Sequence, residues 1–278
     1  MASAVVAGWK FQLNIIVIRI VAFSINNPLR FKSIYVDDDH QAIYIADCSN
    51  HRIVERTYGA KNGEIVVGGN GIDQLNSPTH VIVDKKNDPL IICDQGNRRL
   101  VRWSHQNGKN GETIISDIHC SRLTMDKNGD LNVSDEKKNE VRRWKHGEND
   151  GTIVVGGNGQ GNRLSQLYYP TYIFVDEDHL IYVSDRLNHR VMKGAKEGIV
   201  VAAGKGRGNS LTQLSNPQGV IVDHLGCCEG SIVVGGNGKG DEPNQFNHLR
   251  GLSFDVQGNI YVVDGFNHQI QKFEIHLN

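Results

Sequence analysis

Short apolar runs recur along the chain, and each ends on an aspartate. The first aspartate of each copy is Asp37, Asp84, Asp126, Asp176, Asp223 or Asp255. A second β-rich run ends nine or ten residues later on a second aspartate, and only the copy at Asp223 lacks it. Short apolar runs bounded by Asp, Asn and Gly are typical of β-strands joined by tight turns. The pattern therefore predicts an all-β chain.

The second aspartate opens a repeated turn. Asparagine follows it by three residues in four of five copies, and arginine follows by five in three. The turn residues are Asp47, Asn50, Arg52, Asp94, Asn97, Arg99, Asp135, Asp185, Asn188, Arg190, Asp264 and Asn267. Aspartate can accept backbone N–H bonds in a turn, and a later arginine can close on it as a fork. We expect these residues to be structural, and a binding role is the alternative. The third copy departs, with Lys138 and Glu140 in the Asn and Arg positions.

A Gly-rich strand closes the unit, as in Val66-Val67-Gly68-Gly69. One unit then holds four strands in about 45 residues, a period typical of propeller blades. We expect one propeller domain over 28–278, preceded by an irregular segment 1–27. The predicted repeats lie near 28–71, 78–116, 119–159, 170–206, 217–240 and 247–276.

Two of the turns, Asn50-His51-Arg52-Ile53 and Asn188-His189-Arg190-Val191, resemble NHL repeats. The resemblance extends in register over residues 28 to 275. It implies a six-bladed β-propeller that serves as a protein-recognition module. It also implies a likeness to the NHL domain of tripartite-motif proteins, although the sequence shows no RING, B-box or coiled-coil pattern. An adaptor role in ubiquitin-ligase-type assemblies follows from the same resemblance.

The fifth copy and the N-terminus bear on how the propeller closes. About 15 residues are missing after Gly226, where the second strand and its turn would lie, so the fifth blade is predicted to be truncated. The last copy lacks a closing Val-Val-Gly strand, and Val5-Val6-Ala7-Gly8 resembles one. We expect residues 3–8 to complete the last blade as its outer strand, because closure removes open sheet edges.

Composition narrows the function classes. The net charge is −1, which excludes a generally basic nucleic-acid binder. The five cysteines include no CxxC pair, which argues against a disulfide framework and favours a cytoplasmic location. An apolar stretch near Ile15 is interrupted by Arg19, so it fits neither a membrane span nor a signal peptide well, and secretion stays open as the alternative. We expect a monomer that does not associate with a membrane.

The sequence contains no arrangement of residues that predicts catalysis. It has neither GxSxG nor HExxH, and the repeated His51, His189 and His268 fall in separate blades. We therefore predict no catalytic residues, no metal and no cofactor, and a protein or peptide as the partner. The alternative is a metal-dependent propeller enzyme, similar to amidating lyases or lactonases.

One surface suggests a second alternative, an RNA-binding propeller. Basic and aromatic residues alternate after the second and third aspartate turns. They are Arg98, Arg99, Arg102, Trp103, Arg142, Arg143 and Trp144. Arginine and tryptophan can bind phosphates and stack on bases. Ordinary outer strands with tryptophans packed between blades explain the same pattern, and we favour that interpretation.

Overall fold

The chain folds into short antiparallel sheets, as the period-two pattern of its apolar runs requires. The computed structural model describes residues 4–7, 11–18, 31–69, 75–104, 111–194, 197–203, 206–208, 214–221, 230–234, 240 and 245–277. These residues form 23 strands and three single-turn 3-10 helices. No helix among them has the length and apolar character needed to cross a membrane.

Five sheets have four strands each and form propeller blades. The first blade contains β3 (Phe31–Asp37), β4 (Ala42–Asp47), β5 (Arg52–Thr57) and β6 (Glu64–Gly68). The second contains β7 (Pro78–Val83), β8 (Leu90–Asp94), β9 (Arg99–Trp103) and β10 (Glu112–Ser116). The third contains β11 (Cys120–Met125), β12 (Leu131–Asp135), β13 (Glu140–Trp144) and β14 (Thr152–Gly156). The fourth contains β15 (Pro170–Val175), β16 (Ile181–Asp185), β17 (Arg190–Lys193) and β18 (Ile199–Ala203).

The last blade combines strands from both ends of the sequence. It contains β21 (Leu249–Phe254), β22 (Ile260–Asp264), β23 (Gln269–Leu277) and β2 (Phe11–Ile18). A further sheet has three strands, in the order β19 (Val220–Ile221), β1 (Ala4–Ala7) and β20 (Gly230–Val234). The 3-10 helices Cys48–Asn50, Gln95–Asn97 and Arg186–Asn188 follow the second aspartates of three blades.

The chain divides into two compact units. One comprises Met1–Trp9 and His119–Gly238, with the third blade, the fourth blade and the three-stranded sheet. The other comprises Lys10–Ile118 and Lys239–Asn278, with the first, second and last blades. Each unit has its own buried apolar clusters.

Strand alternation explains how one blade packs on two neighbours. In β4, Tyr44 and Ala46 join a cluster with Val81 and Ile92 of the second blade. The intervening Ile45 joins a different cluster that includes residues of the last blade. Successive side chains of a strand point to opposite faces, so both faces of the sheet become buried. Full burial of one such side chain contributes ~1.5–3 kcal/mol, which makes packing between blades a major source of stability.

The all-β propeller prediction is confirmed, but the predicted count of six blades is wrong. The described residues form five four-stranded blades, and the fifth predicted copy forms only the three-stranded sheet. The second β-rich run that Asp223 lacks would have supplied a central strand of that sheet. β1 occupies the central position instead. Its Val5 lies opposite Val220 in the parallel pair with β19 and opposite Ile232 in the antiparallel pair with β20.

The strand that completes the last blade also differs from the prediction. It is β2, and not the segment near residues 3–8. β2 pairs with β23 over eight residues, from Phe11 opposite Leu277 to Ile18 opposite Ile270. β1 has four residues, so β2 satisfies more backbone groups of the long last strand. The apolar stretch around Ile15 therefore lies in a sheet.

The cysteines are not all free thiols. Cys93 and Cys120 are disulfide-bonded, whereas Cys48 is free. This finding weakens the argument for a reducing compartment that the cysteine count provides, and the cytoplasmic location stays a prediction.

Candidate functional site

The repeated aspartate turns are closed by side-chain hydrogen bonds. In the first blade, Asn50 Nδ2 donates to both carboxylate oxygens of Asp47 at 3.0 and 2.8 Å, and Arg52 Nε donates at 2.9 Å. The second and fourth blades repeat the arrangement with the same spacing. Every second aspartate from Asp47 to Asp264 is at most 1% exposed. Burial and paired donors favour a structural tie within each blade.

In the second, fourth and last blades, a third donor ties the aspartate to the segment before the innermost strand of the same blade. The backbone N–H of Asn76 donates to Asp94 at 2.6 Å, and that of Tyr168 donates to Asp185 at the same distance. In the last blade the N–H of Asn247 donates to the equivalent carboxylate at 2.7 Å. The carboxylate therefore links the start of the blade to its central turn.

Two copies depart from the pattern. In the third blade, Asp135 accepts the backbone N–H groups of Lys137 and Lys138, while Glu140 binds Arg142 Nε at 2.6 Å. In the last blade a neutral donor replaces the arginine, because Gln269 Nε2 donates to the aspartate at 3.0 Å. The turn therefore forms without an arginine.

The sequence analysis missed a contact between neighbouring sheets. The residue four positions after the second aspartate has a left-handed backbone, with φ between 53° and 55° in all five copies. His51 Nδ1 accepts the backbone N–H of Ser77 at 2.9 Å, and His189 Nδ1 accepts that of Asn216 at 3.1 Å. Asn139 makes the equivalent bond in the third blade. The sequence feature that could have predicted this contact is the recurrence of His or Asn at this position. We interpreted these residues only as part of the turn.

The pKa of His189 is lowered, first by burial and then by the charge of Arg207. A histidine that accepts a hydrogen bond through Nδ1 is neutral and carries its proton on Nε2. The contact between sheets thus requires the neutral imidazole.

The predicted basic and aromatic surface divides between the two compact units. In the unit that contains Lys10–Ile118, Arg98 is paired with Asp117, and Arg99 bonds to the aspartate of its own turn and to Thr113. Arg102 lies 3.5 Å from Glu112. Trp103 is 7% exposed and belongs to the apolar cluster of its unit.

The third-blade residues of that predicted surface are also engaged. Arg142 bonds to Glu140, and Arg143 Nε donates to Asn132 Oδ1 at 3.0 Å. Trp144 is 7% exposed. Both tryptophans therefore lie in the interior, and binding by these residues stays a prediction.

A cleft lies between the first and last blades and was not predicted. Its volume is about 420 Å³. It is lined by Gln41, Ile43, Arg56, Thr57, Tyr58, Gly59, Asp255, Gln257, Tyr261 and Lys272. We call it the tyrosine cleft. The β3–β4, β5–β6 and β21–β22 connections contribute its rim.

Asp38 connects the two blades at this rim. The hydroxyl of Tyr58 donates to Asp38 Oδ1 at 3.2 Å, and the backbone N–H of Val256 donates to Oδ2 at 2.8 Å. Tyr58 is 38% exposed and the side chain of Val256 is 75% exposed. One carboxylate thus fixes an exposed aromatic residue and an exposed aliphatic residue side by side.

Asp255 organises the floor of the tyrosine cleft. Its carboxylate accepts the backbone N–H groups of Gln257 and Asn259, the Asn259 amide and the Tyr261 hydroxyl, at 2.8 to 3.2 Å. The ammonium of Lys272 lies 3.6 Å from the same carboxylate and 5.5 Å from the Tyr261 ring centre. The acid is therefore saturated with donors.

The two tyrosines in the cleft stay protonated near neutral pH. Burial, followed by the charge of Asp38, raises the pKa of Tyr58 to about 12. Burial also raises the pKa of Tyr261 strongly, with the Tyr58 and Asp255 charges acting in the same direction. Both groups thus act as fixed hydroxyls.

Comparison with known proteins supports the fold. The family model "NHL repeat" matches residues 246–273, which lie in the last blade. No curated protein matches the sequence.

Solved structures with the same fold include enzymes and a binding protein. A gluconolactonase from Xanthomonas campestris is similar at 10% identity, with a TM-score of 0.63, over 90% of this chain and 88% of that one. Virginiamycin B lyase from Staphylococcus aureus is similar at 12% identity, with a TM-score of 0.60, over 95% and 100%. A nidogen/laminin complex contains a similar chain at 13% identity, with a TM-score of 0.54, over 84% and 72%. At these identities the likeness concerns the fold alone.

Proposed function

We propose that the chain, a β-propeller whose last blade matches the NHL-repeat family model, is a non-catalytic recognition module that binds a protein or peptide segment. The tyrosine cleft is the binding site in this proposal. An adaptor role in larger assemblies, including those of ubiquitin ligases, is a further part of the proposal that rests on the family resemblance.

The observation that carries the proposal is the rim at Asp38. Tyr58 and Val256 are exposed apolar groups, and each is fixed by a hydrogen bond to that carboxylate. Exposed apolar groups beside oriented polar groups are typical of binding surfaces, and groups fixed in advance lose less entropy on binding. The rim therefore suits contact with a partner chain.

The chemistry of the floor also supports recognition. Asp255 already accepts four hydrogen bonds, and the raised pKa of Tyr261 keeps its hydroxyl protonated. A general base needs a pKa near the working pH and a free lone pair directed at the substrate. These groups are better suited to hydrogen bonding than to proton transfer.

A propeller enzyme is the alternative, and the fold likeness to a gluconolactonase and a lyase supports it only at the level of architecture. Incubation with gluconolactone and with virginiamycin B, with and without added Ca²⁺, Mg²⁺ or Zn²⁺, tests it by mass spectrometry. Product formation above the protein-free blank would overturn the non-catalytic assignment. RNA binding is tested by filter binding at two salt concentrations, since phosphate contacts weaken steeply with salt.

Selection from a displayed peptide library on the immobilised full chain tests the proposed function. We expect enriched peptides that bind with 1:1 stoichiometry in calorimetry. Val256→Ser should weaken their binding at least ten-fold, because it removes an exposed apolar contact without touching the core. Ile199→Ser is the matched control, since Ile199 is 66% exposed and lies in the other compact unit. Equal affinity for both variants would contradict the placement of the site, and failure to enrich any peptide would contradict the function.

A further inference from the structure

We propose that the imidazole of His40 is a pH-sensitive link between two turns beside the tyrosine cleft, which is strong when the ring is protonated and weak when the ring is neutral. The ring lies between the carboxylates of Asp37 and Asp88. We call these two contacts the His40 link. The link itself is a property of the fold, whereas its consequence for binding at the cleft rests on the proposed function.

Both ring nitrogens of His40 face carboxylates. Nδ1 lies 2.8 Å from Asp37 Oδ2 at the end of β3, and Nε2 lies 3.3 Å from Asp88 Oδ1 in the β7–β8 connection. Asp37 belongs to the first blade and Asp88 to the second, and both lie in the same compact unit. The His40 link therefore joins the β3–β4 connection to the neighbouring blade.

Only the protonated ring can donate to both carboxylates. A neutral imidazole has one N–H group and one lone pair, whereas an imidazolium has two N–H groups. A neutral His40 therefore directs a lone pair at one of the two acids. Asp88 Oδ1 is a buried atom with no hydrogen-bond partner in the described part of the chain, so it is the oxygen that a second N–H on the ring would satisfy.

The surrounding charges favour the protonated ring. The hydrogen bond to Asp37 is the largest cause that raises the pKa of His40, and burial opposes it. The charges of Asp37, Asp88 and Asp39 raise this pKa further. Tyr44 of β4 stays neutral, because burial raises its pKa. The other charged side chains of the two turns are Asp38, Asp84, Lys85 and Lys86.

A second contact between the same turns keeps its charges at neutral pH. Lys85 Nζ lies 2.9 Å from Asp39 Oδ2. The hydrogen bond between them is the largest cause that raises the pKa of Lys85 and lowers the pKa of Asp39. Aspartate and lysine ordinarily titrate near pH 4 and above about pH 10, whereas histidine titrates near pH 6.5. A change in the His40 charge therefore accounts for the pH dependence of this region between pH 5.5 and 8.5.

The turn that carries His40 also builds the rim of the tyrosine cleft. Gln41 lines the cleft, and its backbone N–H and Nε2 donate to the carbonyl oxygen of Asp38 at 3.4 and 2.7 Å. The carbonyl oxygen of Gln41 accepts the Tyr58 N–H at 2.7 Å. The Asp38 carboxylate holds the Tyr58 hydroxyl and the Val256 N–H. Residues on both sides of His40 thus bind the rim, so a neutral His40 leaves the rim less fixed and raises the entropy cost of binding there.

The first test is a pH titration of the His40 ring by NMR in the full chain, with its signal assigned by its loss in His40→Gln. We expect half-protonation above about pH 6.5, the value of an unperturbed histidine. Asp88→Asn should lower the proton affinity of His40 at least three-fold. Asp178→Asn is the matched control and should change it less than 1.5-fold, because Asp178 is exposed and lies in the corresponding turn of the fourth blade, in the other compact unit.

The stability of the fold gives an independent measurement. A histidine whose pKa is raised in the folded state adds stability below its unfolded pKa, and this contribution is lost as the pH rises through the folded pKa. The urea midpoint of the wild type should therefore exceed that of His40→Gln by more at pH 5.5 than at pH 8.5.

The Val256 amide reports on the rim without any ligand, because its N–H donates to Asp38. Its proton chemical shift should follow the His40 titration in the wild type and stay constant between pH 5.5 and 8.5 in His40→Gln. Peptides selected on the full chain should bind the wild type at least three-fold more tightly at pH 5.5 than at pH 8.5. In His40→Gln the two affinities should differ less than 1.5-fold.

Half-protonation of His40 at or below about pH 6.5 would overturn the His40 link, and so would equal effects of Asp88→Asn and Asp178→Asn. A Val256 amide that does not follow the titration would overturn the coupling to the rim. Peptides that depend on Val256 but bind equally at both pH values would leave the proposed function standing and overturn this inference alone. Failure to enrich peptides would contradict the proposed function, while the NMR titrations would still decide on the link.

Discussion

Replacement of Arg190 tests the structural role of the aspartate turns most directly. Its guanidinium is 7% exposed, and Nε donates to Asp185 at 2.7 Å. Nη1 donates to the carbonyl oxygen of Asn162 at 2.8 Å, and Nη2 donates to those of Arg163 and Gln166 at 2.9 Å each. One side chain thus connects the turn of the fourth blade to the loop before its innermost strand.

Arg190→Met should destabilise the fold by about 3–5 kcal/mol, because removing one partner of a buried ion pair leaves the other uncompensated. Arg190→Gln should lower the free energy of unfolding by only about 1–3 kcal/mol, because an amide can keep the hydrogen bond to Asp185. The last blade contains that arrangement naturally, with Gln269 donating to Asp264 at 3.0 Å. The structure therefore predicts that Arg190→Met destabilises the fold more than Arg190→Gln does.

The loss of stability in Arg190→Met should also depend on pH. Burial raises the pKa of Asp185, although the bonds from Asn188, the Tyr168 N–H and Arg190 oppose that effect. Removing the arginine raises this pKa further, so the folded variant takes up a proton more readily than its unfolded chain on acidification. The deficit of Arg190→Met relative to the wild type should consequently be smaller at pH 5 than at pH 7.

Urea unfolding followed by circular dichroism at both pH values measures these differences. Arg102→Met is the control, because the Arg102 side chain is 41% exposed and its Nη1 lies 3.5 Å from Glu112. An Arg190→Met variant within about 0.5 kcal/mol of the wild type, the range usual for surface substitutions, would refute the structural interpretation of the turn.

Two further predictions concern the contacts around these turns. Burial and the charge of Arg207 lower the pKa of His189, so the unfolded chain binds a proton more readily and acidification from pH 7 to pH 5 should destabilise the fold. Asparagine occupies this position in the third blade and does not titrate. His189→Asn should therefore lose less stability than the wild type between pH 7 and pH 5, as measured by urea unfolding. Gly68→Ala should destabilise by about 3 kcal/mol or more, because φ is +82° and a Cβ would lie 2.3 Å from the His51 carbonyl oxygen. Gly129→Ala, at φ +86° with open space around it, should lower the free energy of unfolding by about 1 kcal/mol. Urea unfolding measures both glycine variants, and equal losses would contradict the steric argument.

The sequence was sufficient to predict four strands in each blade, but it did not predict the number of blades or the strand β2. Aspartate spacing located the strands because each carboxylate closes a local turn within a few residues. Blade number depends on which strands pair, and pairing with residues near the N-terminus is not encoded by a local pattern. The segment around Val5 resembles the closing Gly-rich strand of the other blades. However, β2 is twice as long as β1 and pairs with β23 from Ile270 to Leu277.

The tyrosine cleft was not predictable for a related reason. Val256 and Asp38 are 218 positions apart in sequence, and only the fold brings them together. Tyr261 belongs to a repeated Ile-Tyr-Val pattern, and Tyr182 occupies the same position in the fourth blade. A repeated residue carries no sign that one of its copies faces a cleft.

Specificity in a repeat protein has to come from positions at which the copies differ. The buried aspartates of the first, second and fourth blades make nearly the same bonds, so a ligand that recognises those bonds could not select one of these blades. The tyrosine cleft combines a repeated pair, Tyr261 with Lys272, and the loop residue Tyr58. Val256, from another loop, lies next to the cleft, because Asp38 binds both its N–H and the Tyr58 hydroxyl. The repeated pair supplies charge and hydroxyl groups, whereas the loop residues supply the exposed apolar rim. A ligand that needs both kinds of residue can therefore distinguish the last blade from the other copies.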